Sequence, residues 1–143
     1  MISFTKQIWI NRSIEDVFDF STAFENNHLW TSGLVRSEQT SDGPLGVGTT
    51  GIFVQKFMGR EMENDVEVTA YDRPYQACMS STSGPISFAG CQSYEEQEGG
   101  TLFTFSVEAE AGGFFKVAEG MVRKQMETQF EGDLVTLKTI MEG

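Results

Sequence analysis

A length of 143 residues is one domain's worth, enough to bury roughly 68% of the surface that the unfolded chain exposes. The net charge of −11, from 21 acids against 10 bases, argues against nucleic-acid backbones and anionic lipid surfaces, which demand basic patches. No run of about 20 apolar residues is present, so no membrane insertion is expected. Met1–Ile10 lacks the continuous apolar core of an export signal, which leads to an expectation of a cytoplasmic location.

Ser3–Ile10 alternates apolar and polar residues as an edge strand does. Asn11–Asp16 then reads as a helix start: Ser13 can cap, Asp16 stands three residues on, and Ile14, Val17 and Phe18 give a short helix its buried side. A second short helix is expected over Ala23–Trp30. Strand pattern resumes at Leu34–Thr40, and Ser41–Gly48 is a turn-rich loop with three glycines. Five further strands are expected at Thr49–Met58, Glu61–Tyr71, Tyr75–Thr82, Ile86–Gln97 and Thr101–Ala111. After Gly112-Gly113 the chain from Phe115 to about Met141 reads as one amphipathic helix roughly 40 Å long. Its apolar stripe is Val117, Ala118, Met121, Val122, Met126, Phe130, Leu134, Leu137 and Met141. A helix of that length needs a partner surface, and the preceding sheet is the candidate. A curved sheet around one helix leaves room for a cavity.

Turn chemistry sets the expected register. Gly99-Gly100 suits a two-residue type I′ hairpin, which places Phe103 across from Glu96, Phe105 from Tyr94 and Val107 from Gln92. A two-residue loop at Gly84-Pro85 sets Gln92 opposite Ala77 and Gly90 opposite Met79. Asp72-Arg73-Pro74 allows Ala70 beside Tyr75 and Val68 beside Ala77. Alternation then collects Met62, Asn64, Val66, Val68, Tyr75, Ala77, Met79, Phe88, Gln92, Tyr94, Phe103, Phe105 and Val107 on a concave, helix-facing side. Glu61, Glu63, Asp65, Glu67, Ser93, Glu95 and Glu108 fall on the wet side. Thr49–Met58 stays open in parity, because Phe53/Phe57 and Ile52/Val54 are both apolar. Cys78 and Cys91 fall on neighbouring strands and, in a reducing compartment, are expected as free thiols.

The order strand, Val17-Phe18-Asp19-Phe20, Asn26-Asn27-His28-Leu29-Trp30, Gly43-Pro44-Leu45-Gly46-Val47-Gly48-Thr49, five strands, and a helix ending Leu134-Val135-Thr136-Leu137-Lys138 resembles a known family. It is similar, over nearly the whole chain, to the polyketide cyclase/dehydrase and lipid-transport group, also called SRPBCC or START-like. The resemblance implies an α+β helix-grip fold, as in the birch-pollen allergens. In that fold a seven-stranded antiparallel sheet wraps a long C-terminal helix, two short helices follow the first strand, and a hydrophobic pocket lies between. Arg12-Ser13-Ile14 departs from the family by lacking the proline often found before the first short helix. The family includes hydrophobic-ligand carriers, aromatase/cyclases and dehydratases, so the resemblance does not imply one chemistry.

Residues 1–143 are therefore read as a single ligand-binding domain. The expected ligand-contacting residues are Asn64, Val66, Tyr75, Ala77, Met79, Phe88, Gln92, Tyr94, Phe103, Phe105, Ala118, Val122 and Met126. Asn64, Gln92 and Tyr94 are the polar members; they either orient a ligand carbonyl or hydroxyl, bond one another, or sit near the rim. Tyr94 and His28 are the candidate proton-transfer groups of an enzyme, His28 with Glu25 as a helix-face partner; the plainer reading of His28 is a surface side chain. No metal set, phosphate loop or nucleophile motif is present, and no cofactor is expected. Three functions are consistent with this reading: a carrier or sensor of a small hydrophobic or aromatic molecule, a cyclase/dehydratase-type enzyme, and a protein-interaction module with a filled pocket. The sequence leaves monomer and homodimer equally open.

Overall fold

The computed structural model describes residues 1–57, 59–111 and 119–143. Strand β1 (Ile2–Ile10) leads into α1 (Ile14–Thr22) and α2 (Phe24–Trp30). Strands β2 (Leu34–Gln39), β3 (Thr50–Phe57), β4 (Arg60–Asp72), β5 (Gln76–Ser83), β6 (Ile86–Gln97) and β7 (Gly100–Ala111) follow, and α3 (Glu119–Glu142) comes last. The strands form one antiparallel sheet in the order β1-β7-β6-β5-β4-β3-β2, so each meander strand pairs with the next and β1 closes onto β7. This is the helix-grip arrangement expected above. The expected Gly112-Gly113 break, the first turn of the long helix, and Val117 and Ala118 lie outside the described residues.

Ser13 ends the extended chain after β1. Its Oγ accepts the Asp16 N–H at 3.3 Å, and Glu15 and Asp16 place negative charge at the positive end of the helix. Helix α1 then buries Ile14, Val17 and Phe18 in a core with Ile10, Trp30, Tyr94, Phe103, Leu134, Leu137 and Met141. A second cluster gathers Ile2, Phe4, Met62, Val107, Ala109 and Val122, with Met126 and Phe130 packed against it. Met121, counted in the helical stripe from sequence, is instead 64% exposed.

Two registers differ from expectation, each for a local reason. In the β6–β7 hairpin the loop residues are Glu98 (φ 51°) and Gly99 (φ 79°), and Gly100 already pairs with Gln97. A side chain at Gly100 would strike the Trp9 ring and the Ile10 carbonyl, so this glycine serves the approach of β1 and not the turn. Phe103 consequently faces Tyr94, Phe105 faces Gln92 and Val107 faces Gly90. A two-residue slip preserves the faces, which is why the concave set survives.

In β4, irregularities between Asp65 and Val66 and between Val68 and Ala70 put Val68 opposite Met79 and Tyr71 opposite Ala77. Bulges of this kind bend a strand and help the sheet curl. The turn itself takes in Arg73, Pro74 and Tyr75, with Asp72 pairing Gln76, so Tyr75 is 57% exposed, with its N–H on the Asp72 carbonyl at 2.6 Å; it does not belong to the concave face.

The pairings of Ala77 with Gln92 and Met79 with Gly90 are as expected, and between them Cys78 faces Cys91. Here the expectation of free thiols is corrected: directly opposed on adjacent strands, their Cα atoms 4.1 Å apart, the two cysteines form a disulfide. For β3, the open parity resolves with Phe53 opposite Asn64 and Gln55 opposite Met62, both facing inward.

Candidate ligand-binding cavity

Between the concave sheet and α3 lies a cavity of about 180 Å³. Met62, Val68, Ala77, Met79, Phe88 and Phe105 form its sheet wall, and Met126, Phe130 and Leu134 its helix wall. Members of both hydrophobic clusters border it, so the cavity is the space that the two cores leave between them. An engineered apolar cavity of ~150 Å³ accepts benzene, so this volume has room for a molecule of one or two fused rings.

The sequence-predicted residues divide by depth. Ala77, Met79, Phe88, Gln92, Phe105 and Met126 line the cavity. Val66, Phe103 and Val122 are fully buried in packed core behind it. Asn64 and Tyr94 stand one layer back, each against an amide on the wall. Asn64 Nδ2 donates to Gln55 Oε1 at 3.3 Å; Tyr94 Oη donates to Gln92 Oε1 at 2.8 Å and shares a 2.6 Å hydrogen bond with Ser21 Oγ. Both buried residues thus orient glutamines that line the cavity. Tyr75 is on the outside, His28 is exposed on α2 and does not border the cavity, and Ala118 lies outside the described residues.

Burial drives the Tyr94 phenol well above its ordinary range, so it remains neutral at physiological pH. Rings of Phe18 and Phe103 pack edge-on against it at 5.0 and 5.2 Å. Replacing Tyr94 by phenylalanine removes the hydroxyl while Ser21 keeps its bond to the Val17 carbonyl. The expected cost is about 1–2 kcal/mol, or about 3–6 °C in melting temperature, with binding of an aromatic probe unchanged within a few-fold. Calorimetry on the variant, with and without 2-naphthol, measures both quantities.

Sequence reasoning missed Gln55, Trp30 and Asp133. Gln55 was hidden by the unsettled parity of its strand. Trp30 is absent from the expected ligand-contacting set, yet it borders the cavity and its indole N–H is buried with no partner among the described residues. Asp133 sits three residues after Phe130 and four before Leu137, on the apolar stripe itself; an acid at that spacing was the available signal. It is only 5% exposed and borders the cavity.

Asp133 also anchors the connection between α2 and β2. Its Oδ1 accepts the Ser32 N–H at 2.9 Å, and Gln129 Nε2, one turn earlier, donates to the Ser32 carbonyl at 2.9 Å. Gly33 (φ 79°) then turns its carbonyl to the Lys56 N–H at 2.6 Å, and a Cβ there would meet Lys56 and Gln129. Exposed Ser32, Gly33 and Lys56 border the cavity on this side, the side that meets solvent.

Desolvation raises the Asp133 carboxyl above its usual range, partly offset by the bonds from Ser32. An acid whose folded pKa lies above its unfolded value binds its proton more readily when folded. Its contribution to stability therefore falls as pH rises from the ordinary carboxyl range through the raised folded value, and ionised Asp133 is a net cost at neutrality. Asp133→Asn keeps an oxygen for the Ser32 N–H and is expected to melt no lower than the parent at pH 7. Melting curves of both proteins from pH 4 to 8 check this; a drop of several degrees at pH 7 would show that the charge itself stabilises the fold.

The sequence model for the polyketide cyclase/dehydrase and lipid-transport family matches residues 1–142. The chain belongs to this family. Among solved structures, TTHA0849 from Thermus thermophilus superposes with a TM-score of 0.84 at 18% identity, covering 96% of this chain and 94% of that one. A START superfamily protein from Mycobacterium smegmatis gives 0.79 at 15% identity, over 99% and 98% of the two chains. The di-domain ARO/CYC StfQ of the steffimycin biosynthetic pathway gives 0.76 at 10% identity; all but 1% of this chain matches about half of that one (99% and 51%). At these identities the likeness is one of fold. A comparison with curated proteins returns no match. Family and fold together point to hydrophobic-ligand binding or a polyketide-cyclase-type role. Among the described residues no cluster of His, Cys, Asp and Glu has a metal-holding arrangement, and no helix is long and apolar enough to cross a membrane.

Proposed function

We propose that this protein binds a small hydrophobic or aromatic molecule in the cavity between the curved sheet and α3, as a carrier or sensor. The observation that carries this reading is the cavity of about 180 Å³ itself, walled by side chains such as Met79, Phe88, Phe105 and Met126 and bordered by exposed residues on one side. Apolar contact at ~25 cal/mol per Å² supplies most of the affinity, and Gln55 and Gln92 orient polar atoms of the guest. Methionines on the wall suit guests of more than one shape.

A cyclase or dehydratase working in the same pocket needs a proton-transfer group on the wall. Tyr94 lies behind Gln92 as a neutral phenol, and His28 is on the outside, so neither residue favours that reading; the titratable side chains that do border the cavity are Tyr71 and Asp133, the latter with Oδ1 already engaged by the Ser32 N–H. A protein-interaction module with a filled interior is disfavoured by the open volume.

Native mass spectrometry of the protein as purified from its producing cells tests the proposal, with 2-naphthol as a defined probe. A co-bound small apolar molecule, or a melting temperature raised by about 9 °C at a probe concentration one hundred times its Kd, is the expected result. No adduct and no shift with 2-naphthol or naphthalene would overturn it.

A further inference from the structure

Asp133 is the least expected group on the cavity wall. It is 5% exposed, on a helix face otherwise built from Val122, Leu134, Leu137 and Met141, and no lysine or arginine among the described residues pairs with it. Lys56 also borders the cavity, but strand alternation sets it opposite Glu61 on the outer face while Gln55 points inward, so it reaches the opening through its backbone. A carboxylate has about four acceptor positions, and Ser32 occupies only part of that capacity. Burying such a group without a cation is costly, and desolvation indeed raises its pKa. The loop contact does not require the charge, since an amide oxygen would hold the Ser32 N–H equally well. A second unmatched polar group borders the same space, the buried indole N–H of Trp30.

Resting on the ligand-binding reading above, we propose that Asp133 determines the specificity of the cavity: it accepts a hydrogen bond from a hydroxyl or ammonium group of an aromatic guest and disfavours guests bearing a carboxylate. Both favoured groups share one chemistry, a strong donor presented from a ring system of one or two rings. A guest carboxylate anywhere in a cavity of this size stays close enough to Asp133 for the repulsion to matter, because low-dielectric walls screen it poorly.

The test uses four probes on one skeleton at pH 8, namely naphthalene, 2-naphthol, 1-naphthylmethylammonium and 2-naphthoate, titrated calorimetrically into the full chain and into Asp133→Asn. Partition alone favours naphthol over naphthoate, so the diagnostic quantity is the change between proteins. In Asp133→Asn, 2-naphthoate is expected to bind about tenfold tighter, the ammonium about tenfold weaker, and naphthalene the same. A hydroxyl guest should change only a few-fold, because the asparagine oxygen still accepts, which separates the hydroxyl and ammonium cases. Within the parent protein the ammonium should bind at least tenfold tighter than 2-naphthoate, a comparison that stands even if the variant fails to fold. Equal binding of those two ions by the parent, or an unchanged ratio in the variant while naphthalene still binds, overturns the role of Asp133 and leaves the cavity reading intact. Failure of all four probes, naphthalene included, overturns the cavity reading and this inference with it.

Discussion

Phe103→Ala is expected to lower the melting temperature by about 10–15 °C. Phe103 has no exposed surface and is held edge-on by Tyr94 at 5.2 Å and Trp30 at 6.0 Å, with Leu134 and Leu137 in the same cluster. Truncating a fully buried phenylalanine costs ~3–5 kcal/mol, the lost transfer free energy plus the void left behind, and a chain of this length loses about 3 °C per kcal/mol. Phe105 provides the internal control. It is two residues along the same strand and the same face, but it borders the cavity and is only partly buried. Truncation there enlarges a space that already exists, so Phe105→Ala should cost markedly less. Thermal unfolding of the two variants measures the difference between packed core and cavity wall. Equal losses would mean that the cavity is filled and that the two phenylalanines occupy equivalent positions.

What the sequence made legible follows from which constraints are local. Two-residue alternation in β4, β6 and β7 placed Met62, Val68, Phe88, Phe105 and Val107 on the inner face, and that result tolerates register errors of two, which is what occurred at the β6–β7 hairpin. The Ser13 cap and the long helical stripe are likewise local patterns. Depth is not local. Whether a concave residue touches the cavity or packs behind it depends on how far α1 and α2 press into one end of the sheet, and no periodicity encodes that. Thus Phe103 and Tyr94, under α1, became core, while Phe105 became wall. Tyr75 was lost to the length of the β4–β5 turn, which takes in Arg73, Pro74 and Tyr75 so that Asp72 pairs with Gln76. The cysteine pair was legible in position but not in state, since the assumed redox environment, and not the geometry, governed the reading.

Ala77→Phe is expected to reduce binding of 2-naphthol at least 100-fold while leaving the fold intact. Ala77 is the smallest side chain that β5 places on the cavity wall; it faces Gln92 across one strand pair and Tyr71 across the other. Phenylalanine adds six ring carbons at the only place they can go, into the space of about 180 Å³. A guest that loses ~110 Å² of apolar contact forfeits about 2.7 kcal/mol, which is a factor of about 100 in Kd. The effect on stability should have the opposite sign or be small, because filling a pre-existing cavity adds contacts, by ~0.5–2 kcal/mol where the ring fits without strain. This pairing of lost affinity with retained or raised melting temperature separates blockage of a site from damage to the protein, which would lower both. It also separates interior from surface binding. An aromatic probe held on the exposed apolar side chains of the outer surface, such as Val35, Val47 or Val135, would be indifferent to the substitution. Isothermal titration of 2-naphthol into the parent and the variant, with melting curves of the unliganded proteins alongside, gives both numbers; undiminished binding to a well-folded Ala77→Phe would place the guest outside the cavity.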